Sequence, residues 1–279
     1  MIMSNQSNWH GKINLNYQYK SDKTELISSF AQSPFKIQQS FYPEGEAICH
    51  NIILHTAGGV VGGDLLDQNI NLNSNSQTLI TTPAANKIYR SNGKIAVQNI
   101  NITLKNNSIL EYLPQEMIIF DGAKYHQSNI INLQDHSTLL IWDIIRFGRT
   151  ARGEIFSQGY WQSKLEIWQE EKPLFIDNIC LKGEDNLYHN LTGLNNNPIL
   201  GTLTYIGNNI NPETFTNIRQ LCQDSLINGK GGVTELIKGL NCRYLGNSTT
   251  EVKEFFFKIW QILRVQYLGK NAIKLRIWS

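Results

Sequence analysis

Asn99-Ile100-Asn101-Ile102-Thr103-Leu104-Lys105-Asn106-Asn107-Ser108-Ile109-Leu110 alternates polar and apolar side chains, breaks on a short polar turn, and resumes as an apolar run. Period-two alternation is the mark of a half-buried strand, and Lys-Asn-Asn-Ser supplies turn-forming side chains. The same unit stands on either side. Ile70 and Leu72 alternate with Asn69, Asn71 and Asn73, turn at Asn73-Ser74-Asn75-Ser76, and continue into Thr78 to Thr81. A third unit opens at Asn129, turns at Gln134-Asp135-His136-Ser137, and continues from Thr138 to Asp143. Asn69, Asn99 and Asn129 open the three units at equal intervals, and Leu79, Leu110 and Leu140 mark the second strands. A looser fourth copy runs from Lys164 through Glu170-Glu171-Lys172-Pro173 to Asp177. A fixed period of this kind predicts hairpin-like units stacked side by side, each covering its neighbour's apolar face.

The last third changes character. Asn211-Pro212-Glu213 is an N-cap with proline at the first helical position, so a helix is expected from 212 to Ile227, stopping at Asn228-Gly229. Ser248 and Glu251 form a capping-box pair, and Val252, Phe255, Phe256, Ile259 and Leu263 make an apolar stripe ending at Gly269. The expected fold class is therefore mainly β, formally α+β: a stacked-strand, β-helix-like body over about 9–207 with helical elements over about 212–228 and 249–268, in one domain spanning 1–279. Apolar residues on several sides of the second helix, including Trp260 and Tyr267, make it a candidate contact surface.

With 41% hydrophobic residues the chain of 279 can build a full core. Its net charge is +2, and Lys and Arg are scattered, which argues against nucleic acid or an acidic membrane surface as partner. Met1 to Lys20 shows no apolar signal core, and no apolar run approaches a membrane span, so a cytoplasmic location is expected. Cys49, Cys180, Cys222 and Cys242 then read as buried free thiols. Cys49 and His50 are adjacent on an expected strand and point to opposite faces, which disfavours a shared metal.

Gly58-Gly59-Val60-Val61-Gly62-Gly63-Asp64 follows a strand but leads into another strand rather than a helix, so it is read as a tight turn, not a phosphate cradle. Asp64 is then a carboxylate on a rigid corner. Lys87 and Tyr89 could pair as acid and base, but no cofactor motif accompanies them. Glu111, Glu116 and Glu154 could supply the carboxylate pair of a glycoside hydrolase on a β-helix, although Arg146, Arg149 and Arg152 are available to neutralise them. The six histidines form no HxH, HxxxH or HExxH pattern, so each reads as a hydrogen-bonded or surface residue rather than a tight metal ligand.

Several long motifs in fixed order resemble the urease accessory protein family UreD (UreH). They are Phe41-Tyr42-Pro43-Glu44-Gly45, Gly58 to Asp64, Thr81 to Ser91, and Leu110-Glu111-Tyr112-Leu113-Pro114-Gln115-Glu116. Phe147-Gly148-Arg149 with Gly153-Glu154, and the closing Arg276-Ile277-Trp278, complete the set, with Leu275 where the family commonly has proline. The resemblance spans Trp9 to Trp278 and implies a non-catalytic chaperone. It further implies a complex with UreF and the GTPase UreG on apo-urease, and an internal passage for transient Ni²⁺, with no tightly bound cofactor. Carried over by position, Asp64, Thr81, Lys87, Glu111 and Glu154 are expected to line or frame that passage, and Arg149 to form a structural ion pair. The alternatives are a polysaccharide-active β-helix enzyme and a purely structural, partner-binding solenoid.

Overall fold

The computed structural model describes residues 8–185, 187–208, 210–224 and 228–278. The chain opens with the antiparallel pair β1 (His10–Lys20) and β2 (Lys23–Gln32), then β3 (Phe35–Ile37). It next coils through β4 (Ile48–His55), β5 (Leu65–Leu72), β6 (Gln77–Thr81), β7 (Asn86–Ile88), β8 (Ala96–Leu104), β9 (Ile109–Leu113), β10 (Met117–Ile119), β11 (Lys124–Leu133) and β12 (Thr138–Phe147). There follow β13 (Tyr160–Gln169), β14 (Lys172–Lys182), β15 (Ile199–Ile206), α1 (Pro212–Asp224), β16 (Lys230–Leu236), β17 (Gly239–Gly246) and α2 (Thr249–Leu268).

From β4 to β13 the chain passes back and forth between two sheets. One runs β14-β13-β11-β8-β5-β1-β2, and the other β16-β17-β15-β12-β9-β6-β4-β3 with β10 and β7 beside it. Within the coil, like strands pair in parallel, β5 on β8 on β11 and β4 on β6 on β9 on β12. The body is thus a β-solenoid of about four turns with two helices in the C-terminal region, as the periodicity predicts. Inward residues such as Ile13, Leu66, Ile100, Leu110 and Ile141 fill its interior. A second core lies between the outer face of the β12 sheet and the helices, built from Leu140, Trp142, Leu203, Phe256 and Trp260. Gly201 of β15 lets α2 approach closely: a Cβ there would stand 2.6 Å from Val252 and 2.9 Å from Phe256.

The repeat is less regular than the asparagine spacing suggests. Leu65 lies beside Val97, an even number of positions further on, whereas Ala96 lies beside Tyr125, an odd number further on. An even offset preserves which face a residue takes; an odd one reverses it. Asn69 therefore stacks on Asn101, whose Nδ2 donates to its Oδ1 at 3.2 Å, and Asn69 itself donates to Asn14 at 2.8 Å. Asn129 turns inward and is buried, while Ile130 takes the outer position. The fourth copy also differs. β13 stacks in parallel on β11, but β14 folds back beside it as an antiparallel edge instead of crossing to the other sheet.

Both helices start as expected. Asn211 Oδ1 caps α1 by accepting from Thr214 N–H at 2.6 Å, and the expected end at Ile227 lies outside the described residues. Ser248 Oγ accepts from Glu251 N–H at 3.2 Å, and Gly269 closes α2 at φ 66°. The Glu251 carboxylate turns outward to Tyr244 and Asn228, so the capping box is only half made. Most of the apolar surface of α2, Trp260 included, is packed inside the fold. Cys49, Cys222 and Cys242 are buried free thiols, but Cys180 is exposed because it sits on the β14 edge. Among the described residues no helix is long and apolar enough to cross a membrane.

Candidate functional site

The chemistry of this molecule is concentrated where its interior is not apolar. Gln68 on β5, Gln98 on β8, and Gln127 and Asn129 on β11 all take inward positions and are buried. Asp143 enters from the facing sheet, in the apolar run of β12. Together with Tyr112 these residues line a cavity of about 130 Å³ inside the solenoid. A second space of about 40 Å³ shares Asn129, Ile141, Trp142 and Asp143 and continues to Asp177, Thr202 and Thr204. Asp143 thus stands at the junction of the two.

The polar bonds in this interior are incomplete. Gln127 Nε2 donates to Asp143 Oδ2 at 3.0 Å, and Tyr112 OH donates to Gln68 Oε1 at 3.2 Å. Gln127 Oε1 and Asn129 Oδ1 are buried with no partner in the protein. An unpaired buried amide oxygen costs roughly 1–3 kcal/mol, so its retention in a close-packed interior calls for a ligand or water. Burial pushes the Asp143 carboxyl up to about 6, against the opposing bonds from Gln127 and the Ile144 N–H. It is therefore mainly ionised at neutral pH and able to take a proton in mild acid.

The outer end of the larger cavity is lined by His55, Ala57 to Gly59, and Ala85 to Lys87. His55 Nδ1 is 3.3 Å from the Ala57 carbonyl oxygen, so it is the nitrogen that donates, leaving the lone pair on Nε2. Nε2 is buried with no protein partner. Burial lowers the His55 pKa, with the Ala57 bond and Asp64 acting the other way, so the ring is neutral at neutral pH. A neutral imidazole with Nδ1 anchored by a carbonyl is the usual arrangement of a metal-binding histidine. One glycine at this mouth, Gly59, is sterically required. A Cβ on Gly59 would come within 2.5 Å of the Tyr89 ring and 2.6 Å of the Lys87 carbonyl oxygen.

Of the five residues singled out in the sequence, only Lys87 lines this cavity, as an exposed side chain at its mouth. Asp64 is buried and accepts from Trp9 N–H and Val61 N–H, both at 2.9 Å, which closes the glycine-rich turn. Thr81 and Glu111 lie on the other face of their sheet, beneath α2. Thr81 Oγ1 donates to the Leu113 carbonyl at 2.5 Å and accepts from Trp278 Nε1 at 2.9 Å. Glu111 accepts from Arg264 at 2.9 and 3.2 Å, from Trp260 Nε1 at 2.7 Å, and from Tyr267 OH. Glu154 is paired with Arg149, whose guanidinium also covers the Phe120 ring at 4.4 Å; this is the ion pair expected of Arg149.

The glycoside-hydrolase reading loses its basis at the same points. Glu111 is tied to Arg264, Glu154 to Arg149, and Glu116 to Lys253 at 2.6 Å. No group of three or more His, Cys, Asp or Glu side chains able to hold a metal occurs among the described residues. Sequence reasoning missed His55, Gln68, Gln98, Gln127, Asn129 and Asp143. The available signal was a polar residue on the apolar phase of a strand, as in Leu66-Gln68-Ile70-Leu72 and Ile141-Asp143-Ile145.

Comparison with known proteins places the chain by its sequence. The family model described as UreD urease accessory protein matches residues 10–279. The chain is 46% identical, over the full length of both chains, to the urease accessory protein UreD of Nostoc punctiforme. It is 47% identical to that of Trichormus variabilis, covering 97% of this chain and 96% of the relative. The UreD of Methylobacillus flagellatus is 34% identical, with 97% and 94% covered. The chain belongs to the UreD family of urease accessory proteins, non-catalytic proteins of urease maturation.

Proposed function

We propose that this chain joins UreF, and through it the GTPase UreG, on apo-urease, and that its solenoid interior conducts Ni²⁺ toward the urease active site. The observation that carries the reading is the pair of unpaired amide oxygens, on Gln127 and Asn129, beside the Asp143 carboxylate inside the solenoid. Nickel is cargo here, so the chemistry required is weak, exchangeable coordination. Amide, hydroxyl and single carboxylate oxygens hold a divalent first-row ion less tightly than thiolate or clustered imidazole does. His55 Nε2 supplies one stronger donor at the mouth, Gln127 Oε1 and Asn129 Oδ1 follow, and Asp143 provides the formal charge at the junction. Thr202, Thr204 and Asp177 continue the polar wall beyond it. Lys87 keeps the mouth from accumulating cations. Asp64 and Glu154 brace the surrounding loops, and Thr81 and Glu111 brace the sheet from behind.

The test is co-expression with UreF, UreG and apo-urease in nickel medium. Asp143→Asn is expected to leave the complex assembled and to cut urease activation about tenfold or more, at least the size of effect seen when a group that merely supports a metal ligand is altered. Undiminished activation by an assembled Asp143→Asn complex would show that the ion takes another route.

A further inference from the structure

A further cavity lies outside the solenoid interior. It is a groove of about 430 Å³ on the opposite side of the β12 sheet, between α2 and the segment that ends at Trp278. Two motifs of the family resemblance, distant in sequence, meet there: Pro114-Gln115 from the loop after β9, and Trp278 from the closing Arg-Ile-Trp. The floor is aromatic and aliphatic. Trp142 and Trp278 pack with ring centroids 5.5 Å apart, and Ile144 and Phe257 extend the surface. Both indole N–H groups are already satisfied, Trp142 by the Pro114 carbonyl at 2.8 Å and Trp278 by Thr81. The rings therefore offer the groove apolar surface and no further donor.

Its rim is basic. Lys253 is neutralised by Glu116 and also donates to Gln115 Oε1 at 2.6 Å. Lys258 and Lys274 are exposed at the groove and have no acidic partner among the described residues, and the one other carboxylate on the rim is the exposed Glu254. Phe257 stays half-exposed although the helix positions beside it, Phe255, Phe256, Ile259 and Trp260, are buried in the fold. An aromatic pocket flanked by unpaired cations is complementary to an apolar side chain carried between carboxylates. Enclosing one large side chain fits the volume, and the two lysines then set charge preference and steering more than raw affinity.

We infer that this groove is a docking site for an acidic segment of a partner protein, one that inserts a single aromatic or branched apolar side chain against Trp142, Phe257 and Trp278. The groove shares Pro114, Gln115 and Trp142 with the wall of the interior cavity, so a segment seated in it lies directly behind the passage. The inference stands without nickel transit: its readout is peptide binding, which passage variants leave untouched.

The test uses the full chain and two fluorescein-labelled twelve-residue peptides with one Leu-Ser-Ser-Phe centre, flanked by glutamates in one and by lysines in the other. Anisotropy at low ionic strength is expected to show the glutamate peptide binding about tenfold tighter or better. Lys258→Glu combined with Lys274→Glu should invert that preference; both positions are exposed, so folding is spared. Phe257→Ala should weaken both peptides while leaving the charge preference in place. No binding of the glutamate peptide at about 1 mM would overturn the inference. So would a preference that survives the charge reversal, since the lysines would then have no part in it.

Discussion

Arg264→Met is expected to be among the most damaging single substitutions in this chain. Arg264 is fully buried, and all five of its N–H donors are used. Nε donates to Glu111 Oε1 at 2.9 Å, and Nη2 to Glu111 Oε2 at 3.2 Å and Glu44 Oε1 at 2.7 Å. Nη1 donates to Glu44 Oε2 at 2.6 Å and to the Asn271 carbonyl at 2.7 Å. His50 Nε2 lies 2.8 Å from Glu44 and completes the cluster, and the guanidinium stands 5.2 Å from the Trp260 ring. One side chain thus ties α2 to β9, to the loop before β4, and to the C-terminal segment. Methionine matches much of the volume but leaves two buried carboxylates facing each other. Removing one partner of a buried ion pair costs about 3–5 kcal/mol, and replacing all partners together costs much less. For a chain of this length about 1 kcal/mol lowers Tm by roughly 2 °C, so a fall of about 6–10 °C is expected. The loss should be smaller at pH 5 than at pH 8, because the orphaned carboxyls can then take up protons. The triple variant Arg264→Met, Glu44→Gln, Glu111→Gln should recover a good part of it. Calorimetry at the two pH values decides the matter. A loss below about 1 kcal/mol, or one equal at both pH values, would mean that the cluster does not lock the helix.

Further outcomes can be checked by equally direct means. Burial would raise Glu44, yet its bonds to His50 and Arg264 outweigh that and hold its carboxyl down at about 2. Its stabilising contribution is present above the unfolded carboxyl pKa near 4.5 and fades as pH falls toward 2, so Glu44→Gln should flatten the acid limb of a stability–pH curve. Asp143 has the opposite sign: its folded pKa of about 6 lies above the unfolded value of 3.8, so ionisation weakens the fold as pH rises through that interval. Asp143→Asn should therefore be at least as stable as the parent at pH 8, by up to about 3 kcal/mol, in a urea titration. Gly59→Ala should lose about 1–3 kcal/mol through contact with Tyr89 and the Lys87 carbonyl, and a thermal melt reports it. Because β15, β17 and β16 extend the solenoid's own sheet, the whole chain is expected to melt in one transition. Two separated calorimetric peaks would divide it.

How much of this was legible in advance depends on the kind of residue. Alternation at Ile100, Ile102 and Leu104, with a polar turn after each unit, is a local property, and local properties survive folding into a stacked coil. Both helix starts and the end of α2 were equally readable, because Asn211, Ser248 and Gly269 act through bonds to backbone a few residues away. The family motifs too are contiguous strings. The site was different in kind. The sequence offered Arg146, Arg149 and Arg152 as neutralising partners for Glu111, whereas the cation that holds it is Arg264, 153 residues further along the chain.

The amino-acid order alone thus determined the repeating strands, the two helices and the kinship, all written within short contiguous windows. Only the tertiary structure decided what faces inward at Asn129. An odd register offset in place of an even one reverses a strand's faces, and which of the two a coil takes is set by how each loop packs. It alone gathered His55, Gln127, Asn129 and Asp143 around one space, because parallel stacking brings together residues that no sequence window contains.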